Sequence, residues 1–380
     1  MKRVDYLDYA RALGIFLVYF GHFSEKLYRL GNIDIVLPQW KAVYSFHMPL
    51  FFFLAGIFWK REPLTAEFFS SKLKTRLVPW AFFSLMLAPF WFVLSRDEFW
   101  NRVFTGGYLI GTEQFNILMW FVICLFVVEL IAAWIARYLK TNSLHLIIYA
   151  ALSFCFGYYV MIGKDSDVAA FIGFHPRVWY LDDAFIALLF YLSGYLLKDF
   201  YFKLNEAKGW WISLLVALAA GVALWYTYDL NEVNPIVQMI SSKYGDALPF
   251  LLAAFSGIFF LVAFSRLLPQ NLRPLSFVGQ NTLVFMGLNG FGQHFLDRQV
   301  ILRGMLPPIA TQWQAFLYTS VYVILIMILS SPVVIALRRW FPELVGFAWT
   351  PTSLLPPMRE WNQHGVGKGI HLFLQRYLIN

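Results

Sequence analysis

The stretch from Trp313 to Leu337 reads WQAFLYTSVYVILIMILSSPVVIAL and contains no charged residue in 25 positions. A helix of about 20 apolar residues is long enough to cross the ~30 Å hydrocarbon core of a bilayer. This stretch therefore predicts a transmembrane helix, and the rest of the chain can be searched for windows of the same kind.

Ten such windows follow one another along the 380-residue chain, separated by short charged or turn-forming segments. They run from Leu7 to Tyr28, Ala42 to Trp59, Leu77 to Leu94, Phe115 to Ile135, Leu144 to Ile162, Val178 to Leu197, Trp210 to Tyr228, Ala247 to Leu268, Leu275 to Phe295 and Trp313 to Leu337. The composition, 59% apolar and 14% charged, leaves too few polar residues to cover a soluble globule. The sequence predicts an all-α polytopic membrane protein with about ten transmembrane helices.

The positive charges predict the orientation. Of the 30 Lys and Arg residues, 19 fall on the side of the N-terminus, 10 on the opposite side and one, Arg11, inside a span. Because cytoplasmic loops are enriched in Lys and Arg, we expect both termini in the cytoplasm. The expected domains are a transmembrane domain over residues 1–340 and a cytoplasmic tail over 341–380, in which GIHLFLQRYLIN suggests an interfacial helix.

The sequence also excludes several classes of function. The net charge of +8 is spread over many short loops instead of one face, which disfavours nucleic-acid binding. Cys124 and Cys155 lie in apolar windows without metal-ligand spacing, and no Walker loop, GxSxG or HExxH motif is present. We therefore expect no bound metal and no ATP-driven transport.

Two ionisable residues of the first window, Arg11 and His22, point to a function. Ionisable side chains in a membrane usually face the bundle interior. Eleven residues at ~100° each bring the two to within roughly 20° of one another, with a rise of about 16.5 Å between them. The alternatives are that Arg11 only forms an ion pair with Asp8, and that His22 is a structural histidine hydrogen-bonded to Glu25.

Further polar or aromatic groups lie at the depth of His22, about 6–9 Å from the outer ends of their windows. They are His47, Trp120, Asp182, Asp183 and Asn289. Thr282 and Met286 share a helical stripe with Asn289, which predicts that this face lines an internal cavity. The alternatives are a kink cap for His47, an interfacial anchor for Trp120 and a water-exposed position for the two aspartates.

A basic cluster, Lys72, Lys74 and Arg76, precedes the third window on the cytoplasmic side. Such clusters commonly anchor a protein to the membrane surface. The more specific hypothesis is a phosphate site beneath the Arg11 face of the first helix.

The R-x10-H spacing of Arg11 and His22 resembles the signature of the membrane acyltransferase-3 family, integral-membrane O-acyltransferases of bacterial surface and periplasmic glycans. The segment SFHMPLFFFLAGIF at 45–58 is similar to the family's second-helix motif, closest to the sugar O-acetylase branch. Weaker matches are the basic run through Arg76, MWFVICLFVVEL from Met119, LFYLSGYLLK from Leu189 and FVGQNTLVFMGLN from Phe277. This chain departs from many members at Asn289, where they carry a histidine.

The resemblance implies transfer of an acyl group, with acetyl favoured, from cytoplasmic acyl-CoA to a hydroxyl of a cell-surface, periplasmic or lipid-linked carbohydrate at the bacterial inner membrane. It implies His22 as general base. The CoA phosphates would bind Arg11, Lys72, Lys74 and Arg76, and the carbohydrate would bind His47, Trp120, Asp182, Asp183 and Asn289. The extended pantetheine arm spans roughly three helical turns and would reach from Arg11 to His22. The competing hypothesis is a proton-coupled secondary transporter or lipid-linked-sugar translocator, in which His22 and the two aspartates relay protons.

Overall fold

The computed structural model describes residues 4–108, 116–161, 178–204, 209–231, 233 and 235–358. In these ranges the chain forms α-helices and no β-strand, apart from an isolated antiparallel bridge between Gln238 and Lys243. The helices are α1 (Asp5–Gly31), α2 (Leu37–Tyr44), α3 (His47–Ile57), α4 (Ala66–Lys72), α5 (Val78–Leu94), α6 (Arg96–Tyr108), α7 (Trp120–Tyr138), α8 (Ser143–Cys155), α9 (Leu181–Leu204), α10 (Gly209–Thr227), α11 (Ala247–Leu267), α12 (Arg273–Gln280), α13 (Thr282–Phe291), α14 (Asp297–Leu302) and α15 (Gln312–Trp340). A π-helical turn at Leu73–Leu77 joins α4 to α5.

Seven helical segments of the described chain are long and apolar enough to cross a membrane. They are Ala66–Val93, Ile117–Tyr138, Ser143–Met161, Val178–Lys203, Gly209–Thr227, Ala247–Leu267 and Gln312–Trp340. The protein is therefore an all-α, multi-pass membrane protein. The count of about ten spans and the cytoplasmic location of the termini stay predictions.

The three remaining sequence windows are also helical, but they differ in character from these seven. Helix α1 is 27 residues long, about 40 Å at 1.5 Å per residue, and its charged and polar residues keep it outside the apolar group. The window at 42–59 is divided into α2 and α3, and that at 275–295 is divided into α12 and α13 at Asn281. These three windows supply Arg11, His22, His47 and Asn289 of the predicted site residues.

Helix α1 lies at the centre of the bundle. It packs against α2, α3, α11, α12, α13, α14 and α15. Its apolar residues are buried on several sides, with Ile15, Val18 and Leu27 almost inaccessible. Because neighbouring helices surround α1, its ionisable residues are kept from contact with lipid, which is the arrangement that makes them tolerable in a membrane.

The break between α2 and α3 follows from a proline. Pro49 has no backbone N–H, and its ring would clash with the carbonyl of Ser45 if the helix continued. The chain leaves helical geometry at Phe46 (φ −141°), and Nδ1 of His47 bonds the Val43 carbonyl at 2.9 Å. The kink-cap alternative for His47 is therefore realised in the structure.

A close crossing of α3 and α9 fixes one wall of the site. A Cβ atom on Gly56 would collide with the carbonyl oxygen of Tyr191, and one on Gly194 would collide with that of Phe53. Only residues without a side chain allow two helix backbones to approach this closely. The crossing brings Tyr191 of α9 beside the end of α3.

Residues 341–358 fold back against the end of the bundle where α5 begins. Gly346 lies beside Pro79 and the Thr75 carbonyl, and the Leu354 amide donates to the Trp340 carbonyl at 2.9 Å. The first part of the expected tail thus packs on the transmembrane helices. The expected interfacial helix, GIHLFLQRYLIN, lies outside the described residues.

Candidate functional site

A cavity of about 380 Å³ opens near the N-terminal end of α1, and we call it the basic cavity. It is lined by Arg11, Phe51, Leu54, Ala55, Phe58, Trp59, Lys60, Glu62, Phe68, Lys72, Arg76, Phe121, Val122, Leu125, Glu129, Tyr191, Thr282, Leu283 and Met286. The lining includes Phe51 to Ala55 on α3, the residues that follow this helix, and Phe121 to Glu129 on α7. Eight residues of helix correspond to about 12 Å, so the cavity reaches well into the bundle.

Charged side chains are concentrated at one part of the cavity wall. Nζ of Lys72 donates to Oε1 of Glu129 at 2.8 Å. Arg76 donates to the same carboxylate twice, from Nε to Oε2 at 3.0 Å and from Nη2 to Oε1 at 2.9 Å. Two parallel bonds of this kind fix a guanidinium in both position and orientation.

The other two predicted donor-binding cations differ in placement. Arg11 lines the cavity, with Nη1 at 3.2 Å from Oδ1 of Asp8 and its guanidinium 4.5 Å from the centre of the Phe58 ring. The Asp8 pair considered from the sequence is thus present together with cavity contact. Lys74, in contrast, is not part of the cavity lining, although it lies between Lys72 and Arg76 in the chain.

The second cluster is built around His22, farther along α1, and we call it the histidine cluster. The Tyr44 hydroxyl lies 2.9 Å from Nδ1 of His22 and 3.3 Å from Oε2 of Glu25. Glu25 also lies 3.6 Å from the imidazole and 2.9 Å from Nε of Arg29. The Tyr44 hydroxyl thus links the histidine to a carboxylate.

These contacts favour one tautomer of the imidazole. The Tyr44 O–H donates a hydrogen bond to Glu25. The Tyr44 oxygen then accepts a hydrogen bond from the N–H group at Nδ1 of His22. In this arrangement Nε2 carries the lone pair of the ring, which is the form that accepts a proton from another molecule.

The small size of Gly21 makes this geometry accessible. A Cβ atom at Gly21 would lie 2.6 Å from Cε2 of Tyr44. The tyrosine ring therefore packs directly on the α1 backbone, one residue before His22. The Tyr44 ring also lies beside the imidazole of His47, with ring centroids 4.7 Å apart.

A second carboxylate, Asp297, lies near the histidine cluster. It is 4% exposed, accepts a hydrogen bond from the Tyr322 hydroxyl at 2.7 Å, and is close enough to His22 for the two charges to interact. Tyr322 stacks on Phe23, with ring centroids 3.9 Å apart. One carboxylate of α1 and one of α14 therefore lie near His22.

Trp120, Asp182 and Asp183 form a third group. The Trp120 ring packs on that of Tyr180, with centroids 5.6 Å apart, one residue before Leu181 begins α9. The Ser242 hydroxyl donates to Asp182 at 2.8 Å, and Tyr244 donates to Asp183. Both aspartates are at least 97% buried, so they are not at a water-exposed surface.

Tyr244 belongs to the segment between α10 and α11, outside the spans. Burial raises the pKa of its phenol well above the ordinary value, and the Asp183 carboxylate raises it further. The hydroxyl therefore stays protonated and keeps donating to Asp183.

Asn289, the remaining predicted residue, is 2% exposed on α13. Thr282 and Met286 of its stripe line the basic cavity, and Asn289 lies one turn beyond them. The Tyr19 hydroxyl donates to the Phe285 carbonyl at 2.7 Å, which ties α1 to α13 near this level. The side-chain nitrogen of Asn289 has no hydrogen-bond partner within the described residues.

The structure thus divides most of the predicted residues among three places. The basic cavity contains Arg11, Lys72 and Arg76, the histidine cluster contains His22 and His47, and Trp120 lies with the two aspartates. Lys74 and Asn289 belong to none of the three, since neither lines the basic cavity. Of the described residues, those lining the basic cavity do not include His22, whose side chain is 16% exposed.

The residues of these clusters that were not predicted as site residues include Tyr44, Glu129 and Asp297. Glu129 carried a visible signal, because it is a carboxylate inside an apolar window. Tyr44 precedes the matched segment 45–58 by one residue and resembles any buried aromatic. Asp297 follows the ninth window and reads as an ordinary loop residue.

No group of three or more His, Cys, Asp or Glu residues in the described part of the chain could hold a metal ion. Comparison with known protein families matches residues 4–335 to a family described as an acyltransferase domain. No curated protein and no solved structure matches the chain.

Proposed function

The chain belongs to the acyltransferase-3 family, which makes acyl transfer its chemistry, and we propose that it moves an acetyl group from cytoplasmic acetyl-CoA to a carbohydrate hydroxyl, with His22 as the base. The observation that carries this proposal is the hydrogen-bonded set of His22, Tyr44 and Glu25, together with the basic cavity that Arg11 of the same helix α1 lines.

The donor would enter from the basic cavity. Its phosphates are anionic, and Lys72, Arg76 and Arg11 offer charge-assisted hydrogen bonds to them. The cavity extends along α3 and α7 for about 12 Å and is apolar where Phe51, Phe121 and Met286 line it. A pantetheine arm that continued along α1 past Phe51 would bring the thioester toward His22.

Acyl transfer then needs one proton acceptor. The acceptor hydroxyl gives its proton to Nε2 of His22 while its oxygen attacks the thioester carbonyl carbon. The carbon–sulfur bond breaks, and the CoA thiolate takes this proton from the imidazolium. The products are free CoA and an O-acyl ester. A positioned base of this kind contributes about 10²–10⁴-fold to the rate.

The neighbours of His22 have separate roles in this step. Tyr44 holds Nδ1 and so presents Nε2 to the hydroxyl, and Glu25 stabilises the imidazolium through the tyrosine hydroxyl. Asn289 has a buried N–H group that we assign to the substrate, where it would donate to the developing oxyanion.

We assign the carbohydrate to the group of Trp120, Asp182 and Asp183. Carboxylate oxygens accept hydrogen bonds from sugar hydroxyls, and an indole face packs on the apolar side of a pyranose. His47 contacts Tyr44 and would act on the acceptor only through it. The acceptor would be a cell-surface, periplasmic or lipid-linked glycan at a bacterial inner membrane.

The purified protein in detergent provides the test. Acetyl-CoA and CoA are expected to raise its melting temperature, and ¹⁴C-acetyl-CoA added to membranes that contain the protein is expected to label the carbohydrate fraction. A transporter would show neither stabilisation nor labelling, and that result would remove the proposed function.

A further inference from the structure

Glu129 is a carboxylate that the proposed reaction does not use. It lies in the middle of α7, whose other residues are apolar as far as Ala136, and it is 4% exposed. An ionised carboxylate in such a place is strongly unfavourable unless cations pair with it. It therefore needs a role that accounts for its presence.

The contacts of Glu129 join two cations from the same short segment. Its Oε1 accepts from both Lys72 at 2.8 Å and Arg76 at 2.9 Å, and its Oε2 accepts from Arg76 at 3.0 Å. The two cations are four residues apart across the π-helical turn, a feature often found at functional sites. One carboxylate thus fixes two positive side chains.

The exposed fractions of the three side chains show which of them is most deeply buried. The Glu129 side chain is 5% exposed, whereas those of Lys72 and Arg76 are 20% and 26% exposed. The carboxylate is the most buried of the three, and the two cations are the more accessible part of this wall of the basic cavity. Each cation keeps N–H groups that Glu129 does not engage.

The charges do not cancel. Two cations against one carboxylate leave a net charge of +1 at this wall, although a single cation is enough to neutralise Glu129. The excess of positive charge at this wall favours the binding of an anionic ligand. The aromatic and aliphatic lining behind it suits a ligand with an apolar part beyond its charged group.

We propose that Glu129 is the positioning residue of a phosphate-binding site, which holds Lys72 and Arg76 so that their remaining N–H groups bind a phosphate together. This inference builds on the proposed function, in which that phosphate belongs to the acyl-CoA. Glu129 itself touches only the two cations and acts on the ligand through them.

The experiment measures binding to the purified full-length protein in detergent by calorimetry, with CoA and inorganic pyrophosphate as separate probes and no acceptor present. Glu129→Gln is expected to weaken the binding of both probes about tenfold, since the two cations lose a charge-assisted partner. It is also expected to raise KM for acetyl-CoA while kcat stays near the native value. A merely structural defect would lower kcat and the active fraction instead.

The chain offers a matched control in Glu67, an exposed carboxylate of α4 that does not line the cavity. Glu67→Gln is expected to leave both affinities unchanged. Glu129→Asp keeps the charge but is too short for all three contacts, so it should fall between the native protein and Glu129→Gln, and it serves if Glu129→Gln fails to fold.

The remaining outcomes overturn either this inference or the proposed acyl-CoA donor. Tighter binding by Glu129→Gln would mean that the carboxylate competes with the ligand, and unchanged binding would mean that it does not position the cations. If the native protein binds pyrophosphate but not CoA, the proposed donor fails and the phosphate site stands. If it binds neither, the site itself is absent.

Discussion

The two charged clusters along α1 are held in different ways. In the basic cavity, Glu129 makes three contacts of 3.0 Å or less with two cations whose charge is permanent. In the histidine cluster, the carboxylate and the imidazole are 3.6 Å apart, and the Tyr44 hydroxyl links them at 2.9 and 3.3 Å. The first arrangement is suited to holding a fixed charge for a ligand, and the second to moving a proton. Changes at one cluster should thus affect binding, and changes at the other should affect turnover.

His22→Ala is expected to separate the effect on turnover from the effect on binding most clearly. Without the base, acetyl transfer should fall by about 10²–10⁴-fold, whereas the calorimetric affinity for acetyl-CoA should not change. The assay is transfer of ¹⁴C-acetyl label in membranes, together with binding to the purified variant. Turnover near the native rate would remove His22 from the role of base.

Arg76→Ala is expected to have the next largest effect, now on binding. KM for acetyl-CoA should rise about tenfold or more, because the guanidinium bonds are lost and Glu129 keeps only Lys72. The melting temperature should fall as well, since a buried carboxylate loses a partner.

Lys74→Ala is the matched control for Arg76→Ala, because Lys74 belongs to the same π-helical turn but does not line the cavity. KM should then stay near the native value. A rise in KM as large as that of Arg76→Ala would show that Lys74 belongs to the donor site, as the sequence alone suggested.

Tyr44→Phe should lower kcat about tenfold and leave KM for acetyl-CoA unchanged. The ring still packs on Gly21, but the hydroxyl that orients His22 and joins it to Glu25 is gone. Steady-state kinetics of the two variants Tyr44→Phe and Glu25→Gln test this, and the two should have similar kcat values. A change in KM alone would place Tyr44 in binding.

Arg11→Ala is expected to have the smallest effect, an increase in KM for acetyl-CoA of about fivefold, because this side chain is 28% exposed and its ion pair with Asp8 is 3.2 Å long. Asp8→Asn provides the comparison. If donor affinity is native in Arg11→Ala and both variants lose only thermal stability, the pair is structural.

The sequence and the structure agree best for properties that one helix determines by itself. The stripe of Thr282 and Met286 predicted a face turned toward a cavity, which those two residues line. That Arg11 and His22 act from one face of α1 stays a prediction. The membrane character and the family also follow from the residues alone, and the family match covers 4–335.

The sequence was less informative where a helix is defined by its neighbours. Apolar length identified the seven long segments, which can face lipid. It did not reveal that the windows at 42–59 and 275–295 are broken, or that α1 is surrounded by helices on several sides. Such central helices are shielded from lipid, so they tolerate charges and breaks that weaken the hydrophobic signal.

By itself, therefore, the sequence determined an all-α membrane protein, its acyltransferase family, and the residues that share a face of each helix, because periodicity and hydrophobic length are local properties of the chain. Only the tertiary structure decided that Tyr44 partners His22, that Glu129 pairs with Lys72 and Arg76, and that Lys74 stays outside the cavity. These contacts join side chains up to 57 positions apart. Which helices lie side by side, and in what register, depends on the packing of the whole bundle and has no signature in any single segment.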